Sequence, residues 1–146
     1  MNSNTLAYIA GYFDGEGCIR IVQNKRDNGF GIHVFITNTH KPFLERMKDF
    51  FGGTVSVRNK SNENHRSIYQ WRISNKKAAN NFLKQIEPYL FEKQPQAKLA
   101  INFCELPDLY GNGYKKANPG LREIKIDLAK KISELKKIDY GLKIEE

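Results

Sequence analysis

The sequence predicts an α+β fold in which one four-stranded antiparallel sheet packs all of its helices against a single face. Two observations support this prediction. Twice along the chain, apolar residues spaced three or four apart give way to apolar residues spaced two apart. Both stretches of period two contain a turn signal, which is typical of a β-hairpin. The second face of such a sheet stays open to water or to a ligand.

The first helix and the first hairpin follow each other directly. Helical spacing joins Leu6, Ile9, Ala10 and Phe13, and we expect Gly15 and Gly17 to end this helix. Alternation then predicts strands over residues 18–24 and 31–37, joined by an Asp27-Asn28-Gly29 turn.

The remaining elements repeat this order and then add helices. Pro42 begins a second helix that should stop at Gly52-Gly53. Strands over residues 54–60 and 67–74 enclose a very polar turn, and three further helices are expected from about Ala78, from Pro95 and from Pro119. No internal repeat is visible, so residues 1–146 are predicted to form one domain.

Composition narrows the class of partner. The net charge of +8 and the isoelectric point near 9.5 favour a polyanion, nucleic acid before an anionic membrane. No apolar run is long enough for a membrane span, and residues 1–5 lack the basic start of a signal peptide. We therefore expect a protein of the bacterial or phage cytoplasm or of an organelle matrix, not a secreted one. Cys18 and Cys104 are predicted to be small buried apolar residues.

The outward positions of the predicted sheet carry groups that suit DNA. If Ile19, Ile21, Val34, Ile36, Val55, Val57, Trp71 and Ile73 face the helices, the open face carries Arg20, Val22, Asn24, Gly31, His33, Phe35, Ser56, Arg58, Lys60, Gln70 and Arg72. Such side chains can bond base edges in the major groove, while Lys25, Arg26, Asn64, His65 and Arg66 at the hairpin tips would reach phosphates. An ordinary solvated face is the alternative, but such a face usually carries acids and this one has none.

Two carboxylates stand where the first helix meets the first strand. Asp14 and Glu16 lie at a helix C-terminus, where the helix dipole disfavours anions, so capping explains them poorly. A divalent cation would offset that cost. Ala7, Ala10 and Gly11 give the same helix a nearly flat side that permits close approach of a second helix.

The segment Ile9-Ala10-Gly11-Tyr12-Phe13-Asp14-Gly15-Glu16-Gly17 resembles the motif of the LAGLIDADG homing endonucleases. The resemblance continues through both hairpins to residues 87–94 and the Gln96-Ala97-Lys98-Leu99 helix. It implies a saddle-shaped sheet and an intron-encoded nuclease that cuts both DNA strands across the minor groove, leaving short 3′ overhangs. Regulators and intron maturases that bind DNA or RNA without cutting are the alternative, and a membrane-surface module is a more remote one.

The resemblance also implies roles for individual residues. Glu16, with Gly15, would hold Mg²⁺ or Mn²⁺, and Ca²⁺ would support binding without cleavage. Asn38 would position water and Lys93 would stabilise charge at the cleaved phosphate. Many family members carry Asp where this chain has Glu16, which leaves the metal geometry open.

A single motif predicts two copies of the chain. We expect an isologous homodimer on a near-palindromic target of roughly 20 base pairs, since each half plausibly covers about one helical turn. Its interface would contain Leu6, Ala10, Gly11, Phe13 and Asp14.

Overall fold

The computed structural model describes residues 1–24, 29–59, 62–108 and 119–145, without the side chains of Pro119 and residues 138–145. The elements are α1 (Ser3–Glu16), β1 (Gly17–Gln23), β2 (Phe30–Asn38), α2 (Lys41–Phe51), β3 (Thr54–Asn59), β4 (Ile68–Ile73), α3 (Lys76–Ile86), a 3₁₀ turn (Glu87–Tyr89), α4 (Gln94–Glu105) and α5 (Pro119–Glu145). The predicted order of helices and hairpins is confirmed.

The four strands form one antiparallel sheet in the order β1-β2-β4-β3. Gly17 pairs with Ile36, so the end of α1 and the end of β2 meet at one end of the sheet. The two hairpins join through β2 and β4, where Phe35 pairs with Arg72. This arrangement leaves β1 and β3 at the two edges of the sheet.

Buried apolar residues from the sheet and the helices form one connected cluster. Ile19, Val34, Ile36, Trp71 and Ile73 face the helices as predicted, and the sequence analysis missed Ile32, which is also buried. The prediction for Val57 was wrong, since 51% of its surface is exposed. Val57 keeps the alternation of β3, but it lies on the edge strand beside an irregularity in the β3–β4 pairing, where the core covers it only in part.

Phe82 of α3 lies at the centre of the aromatic core. Its ring meets those of Phe13, Phe51 and Trp71 edge-on, at centroid distances of 5.5, 4.7 and 5.1 Å. The Trp71 indole also donates a hydrogen bond to the Gly52 carbonyl oxygen at 2.8 Å. Because Phe13 belongs to α1, this cluster fixes the motif helix against the sheet.

The last helix, α5, packs against α4 and β1 through Leu128 and Ile132. Lys125 is buried on the same helix, with its ammonium 5.2 Å from the centre of the Phe103 ring. Burial is the main cause that lowers the pKa of Lys125, and the positive charge of Lys76 lowers this pKa further. In the part of the chain that is described, no helix is long and apolar enough to cross a bilayer.

The two cysteines differ in their surroundings. Cys104 is buried as predicted, and burial raises the pKa of its thiol to about 11. Cys18 is only half-buried, because the alternation of β1 turns it to the open face rather than into the core.

Candidate nucleic-acid interface and catalytic end

The C-terminal end of α1 is held by the carboxylate of Asp14. Its two oxygens accept hydrogen bonds from the backbone N–H groups of Phe91 and Lys93, at 2.7 and 2.9 Å. Both bonds reach a segment far along the chain, between the 3₁₀ turn and α4. Asp14 therefore fixes the backbone around Lys93 against the end of the motif helix, and its predicted place at an interface stays a prediction.

The Lys93 side chain returns to the same place. Its ammonium donates a hydrogen bond to the backbone carbonyl oxygen of Asp14. This carbonyl is among the last of α1, where the helix dipole attracts cations. Lys93 is thus held at the end of the motif helix, at the carbonyl two residues before Glu16, and its role at a cleaved phosphate stays a prediction.

Glu16 is exposed at the last position of α1, and its carboxylate makes no hydrogen bond or salt bridge within the described residues. Burial and then the negative charge of Glu16 raise the pKa of Tyr12, one turn earlier on the helix. The α-helix runs through both Gly15 and Glu16 and ends only at Gly17, so the prediction that Gly15 helps to stop it was wrong. The Glu16 carboxylate is consequently placed by a regular α-helix rather than by a loop.

Asn38 lies at the end of β2, two residues beyond the partner of Gly17. The register therefore brings it to the end of the sheet where Glu16 lies. Its side-chain oxygen accepts a hydrogen bond from the backbone N–H of His40 at 2.9 Å, which orients the amide. Glu16, Asn38 and Lys93 thus come from three distant segments to one end of the sheet.

A divalent cation fits this end of the sheet by the chemistry of its donors. Within the described ranges no three His, Cys, Asp or Glu side chains form a metal-binding group. Mg²⁺ is usually held by one or two carboxylates together with waters and substrate phosphates, so a single free carboxylate suits it. A Cβ added at Gly15 would have nothing within 4 Å, which leaves the approach to Glu16 open.

Gly17 is needed for packing at this junction. A Cβ at Gly17 would lie 2.2 Å from the Phe13 ring, which is closer than any real contact. Phe13 has none of its surface exposed, so the ring has no room to move away. The final glycine of the motif thus allows β1 to begin directly after α1, with the backbone packed against the buried Phe13 ring.

The open face of the sheet carries a cluster of cations around one aromatic ring. The guanidinium carbons of Arg20 and Arg72 lie 5.7 and 5.9 Å from the centre of the Phe35 ring. Together with Arg58 and Gln70, these residues line a concavity of about 420 Å³. The predicted positively charged reading face is therefore present in the fold, and its binding to DNA stays a prediction.

His33 lies on the same face, paired with Arg20 across the β1–β2 ladder. Partial burial lowers the pKa of His33, and the charges of Arg72 and Arg20 lower it further. The imidazole is therefore neutral at pH 7, so it can both donate and accept a hydrogen bond. An unfolded chain binds this proton more readily, so His33 lowers the stability of the fold as pH falls below 6.5, the ordinary pKa of a histidine.

An NMR titration of His33 should give a midpoint below 6.5. In an Arg72→Gln variant we expect that midpoint to rise, because one of the charges that disfavour the imidazolium is removed. Arg66→Gln, which removes a charge from the exposed tip of the β3–β4 hairpin, is the control and should leave the midpoint unchanged. Equal midpoints in wild type and Arg72→Gln would contradict this interpretation.

The other predicted DNA contacts occupy varied positions. Ser56, Arg58, His65 and Arg66 are exposed, Val22 is half-buried, and Asn24 closes the first hairpin through its N–H to Gly29. Gln70 is buried with 5% of its surface exposed, and its side-chain nitrogen donates a hydrogen bond to the Thr37 hydroxyl at 3.1 Å. Lys25, Arg26 and Lys60 lie outside the described residues.

A family model described as the LAGLIDADG-like domain matches residues 3–87, more than half of the chain. The chain belongs to the LAGLIDADG family. It is similar to DNA endonuclease I-CreI of Chlamydomonas reinhardtii, with 31% identity over 113 residues, or 71% of this chain and 64% of that protein. It also resembles a segment of the reverse gyrase of Methanocaldococcus jannaschii, with 30% identity over 86 residues, or 58% of this chain and 5% of the gyrase.

Solved structures give the same fold. The homing endonuclease I-CvuI, in complex with DNA, superposes with a TM-score of 0.73 at 23% identity, covering 90% of this chain and 82% of that one. An archaeal intron-encoded homing endonuclease in complex with DNA gives 0.68 at 16% identity, covering 90% and 84%. The predicted LAGLIDADG fold is confirmed, while this chain spans less than two thirds of the length of each of the two curated relatives above.

The predicted interface on the LAGLIDADG helix lies only in part on its exposed side, where Gly11 is found. Ala10 and Phe13 are fully buried in the core of their own chain and Leu6 is half-buried, so the first two cannot form a surface for a second copy. Ala10 lies on the same buried side of the helix as Ile9 and Phe13. The exposed side consists of Asn4, Ala7, Tyr8, Gly11 and Gly15.

Sequence reasoning missed Tyr8, which is 64% exposed and lies on this outer side of α1. Its ring packs edge-on against Phe43 of α2 at 6.2 Å, while Tyr12 stacks on Phe43 at 3.8 Å. A helical projection of α1 would have found it, because Tyr8 lies next to the small residues Ala7 and Gly11 on the exposed side of this helix.

Proposed function

We propose that this LAGLIDADG chain is a site-specific double-strand DNA endonuclease that acts as a homodimer with a divalent metal ion. The observation that carries the proposal is the free carboxylate of Glu16, two residues after the carbonyl that the Lys93 ammonium holds, at the edge of a cationic open sheet face. A carboxylate without a partner at a helix C-terminus costs stability in the free chain. Such a cost is typical of a group kept for chemistry rather than for folding.

Each residue at the catalytic end has a definable task. Glu16 supplies the carboxylate oxygens that hold a Mg²⁺ or Mn²⁺ ion, with the Gly15 carbonyl nearby. An ion held there would supply Lewis-acid polarisation of the scissile phosphate and activation of the attacking water. The ammonium of Lys93 stabilises negative charge that develops on the phosphate, and the Asn38 amide, oriented by its bond from His40, positions a water molecule.

The open sheet face would bind the major groove. Arg20 and Arg72 can each donate two parallel hydrogen bonds to a guanine, and the Phe35 ring between them holds both guanidinium planes in place. Arg58, on edge strand β3, extends the same face towards the hairpin tip, where His65 and Arg66 can reach phosphates. This face supports binding to a target of roughly 20 base pairs by two copies, about one helical turn each.

The exposed side of α1 is the surface we assign to the second copy. Small side chains at Ala7, Gly11 and Gly15 allow two helices to approach closely, and the twofold axis would bring both Glu16 carboxylates to the middle of the DNA. We place this dimer in the bacterial or phage cytoplasm or in an organelle matrix.

Gly11→Leu tests this interface. The single chain has nothing within 4 Å of a Cβ at Gly11, so we expect the variant to fold normally, with a slightly better helix propensity. A leucine inside a close helix–helix contact should weaken the dimer about tenfold or more. Sedimentation velocity over a concentration series measures this, with Lys77→Leu on exposed α3 surface as the control. A Gly11→Leu variant that dimerises like wild type would contradict the assigned surface.

The experiment that tests the activity is cleavage-site selection from a randomised duplex library, with Mg²⁺ in one arm and Ca²⁺ in the other. We expect a single near-palindromic family of cleaved sequences with short 3′ overhangs in the Mg²⁺ arm, and bound but intact DNA in the Ca²⁺ arm. Sequence-specific binding with unbroken DNA in Mg²⁺ and in Mn²⁺ would overturn the nuclease function and favour a non-cleaving binder.

A further inference from the structure

The C-terminal helix reaches the open face of the sheet at its free edge. Because β1 is an edge strand, α5 can pack alongside it, and Leu128 and Ile132 are buried in this contact. Lys136 follows Ile132 by one helical turn and so lies on the same side of α5. This side chain is half-buried and extends towards the start of β1.

The ammonium of Lys136 contacts the side chain of Cys18. It donates a hydrogen bond to the Cys18 sulfur at 3.4 Å, a contact between residues 118 positions apart. Cys18 pairs with Phe35 and, by the alternation of β1, projects from the same face as Arg20. The contact therefore brings a cation from α5 to the open face, two residues beyond Glu16.

A thiol is a poor partner for this cation. A lysine ammonium has three donors, whereas a cysteine sulfur is a weak acceptor. Within the described residues no carboxylate forms an ion pair with Lys136. The half-buried charge is therefore held at a fixed place without a matching anion, although a phosphate oxygen would form a much stronger, charge-assisted bond.

The contacts of Lys93 and Lys136 lie on either side of Glu16 along the chain. Lys93 donates to the carbonyl of Asp14, two residues before Glu16, and Lys136 donates to Cys18, two residues after it. Two ammonium groups, one at the start of α4 and one on α5, thus contact the chain two residues before and two residues after the motif carboxylate. Only the first of these was found from the sequence, because the lysines of α5 are interspersed with acids and look like an ordinary solvated face.

We propose that Lys136 is a positioning residue that binds a backbone phosphate of the DNA next to the cleaved bond, exchanging the Cys18 thiol for a phosphate oxygen. This inference rests on the proposed nuclease function. It gives α5 a direct part in the DNA complex, in addition to its packing on α4 and β1.

Lys136→Gln tests the proposal against Lys137→Gln, which removes the same charge from the exposed neighbouring residue. For Lys136→Gln we expect a single-turnover cleavage rate or DNA affinity lower by about tenfold or more, since a charge-assisted hydrogen bond is lost. The slope of log affinity against log salt should fall by about 1 per chain, the value for one phosphate contact. Lys136→Arg should restore most of both quantities, and melting temperatures report any loss of fold.

The outcomes separate this inference from the function on which it rests. If wild type cuts DNA and both glutamine variants match each other in rate and salt slope, the phosphate contact is wrong and the nuclease function stands. If wild type binds DNA without cutting it, the nuclease function is overturned, and the salt slopes still decide whether Lys136 contacts a phosphate. A Lys136→Gln defect that Lys136→Arg does not restore, accompanied by a lower melting temperature, would assign Lys136 a purely structural role.

Discussion

Replacing Glu16 with glutamine should reduce the rate of DNA cleavage about a thousandfold or more, because metal stabilisation of a phosphoryl transition state is worth several kcal/mol. Glutamine keeps the size of the side chain but loses the charge that holds the ion. DNA affinity should change little, because the sheet face proposed to bind DNA is formed by the strands, whereas Glu16 is exposed and unpaired within the described residues. Single-turnover cleavage and a binding titration in Ca²⁺ measure the two quantities separately.

The controls for this prediction come from the same chain. Glu123→Gln removes a carboxylate from the exposed surface of α5 and should leave cleavage unaltered. Glu16→Asp shortens the side chain by one methylene and installs the residue that is common in the family, so it should retain measurable cleavage. Cleavage by Glu16→Gln at the wild-type rate would remove Glu16 from the mechanism.

Phe82→Ala should be the most destabilising substitution outside the catalytic end, costing about 3–5 kcal/mol of unfolding free energy. Phe82 has none of its surface exposed and contacts three other aromatic rings, so its loss leaves a cavity that its neighbours cannot fill. A whole domain is stable by only about 5–15 kcal/mol, so much of the population would unfold at moderate temperature. Urea denaturation followed by circular dichroism measures the change.

Phe50→Ala is the matched control, because it removes the same ring from a residue that is 52% exposed. Its cost should stay near or below about 1 kcal/mol. Phe82→Leu, which keeps much of the buried volume, should fall between the two. Equal losses for Phe82→Ala and Phe50→Ala would show that the aromatic cluster is not the centre of stability.

Much of the fold could be predicted from the sequence because its signals are local. Glycine and proline punctuate the chain at Gly52, Gly53, Pro95 and Pro119, and period-two alternation marks every strand. The exceptions occur where a neighbour overrides the pattern. Val57 alternates correctly but lies on an edge strand where the core covers it only in part, and Gly15 continues a helix that its intrinsic propensity disfavours.

The catalytic end could be predicted only in part. The motif identifies Glu16, and the resemblance identifies Lys93, but no local signal connects Asp14 to the N–H groups of residues 91 and 93. The faces of α1 were also misjudged, because small residues occur both inside and outside. Ala10 is small and fully buried in the core, whereas Gly11 is small with open space beside it. Only burial distinguishes these two reasons for a small side chain.

The hydrogen bond that the Lys93 N–H donates to the Asp14 carboxylate joins residues 79 positions apart. This separation matters while the chain is being synthesised. A ribosome releases Glu16 and the whole sheet before it releases the segment that carries Lys93. A nascent or truncated chain that stops before that segment therefore contains the residues of the proposed DNA-binding face and the motif carboxylate, but not the Lys93 ammonium. The proposed catalytic end is completed only when the segment that carries Lys93 docks on the end of α1, so an unfinished polypeptide would lack the proposed nuclease activity.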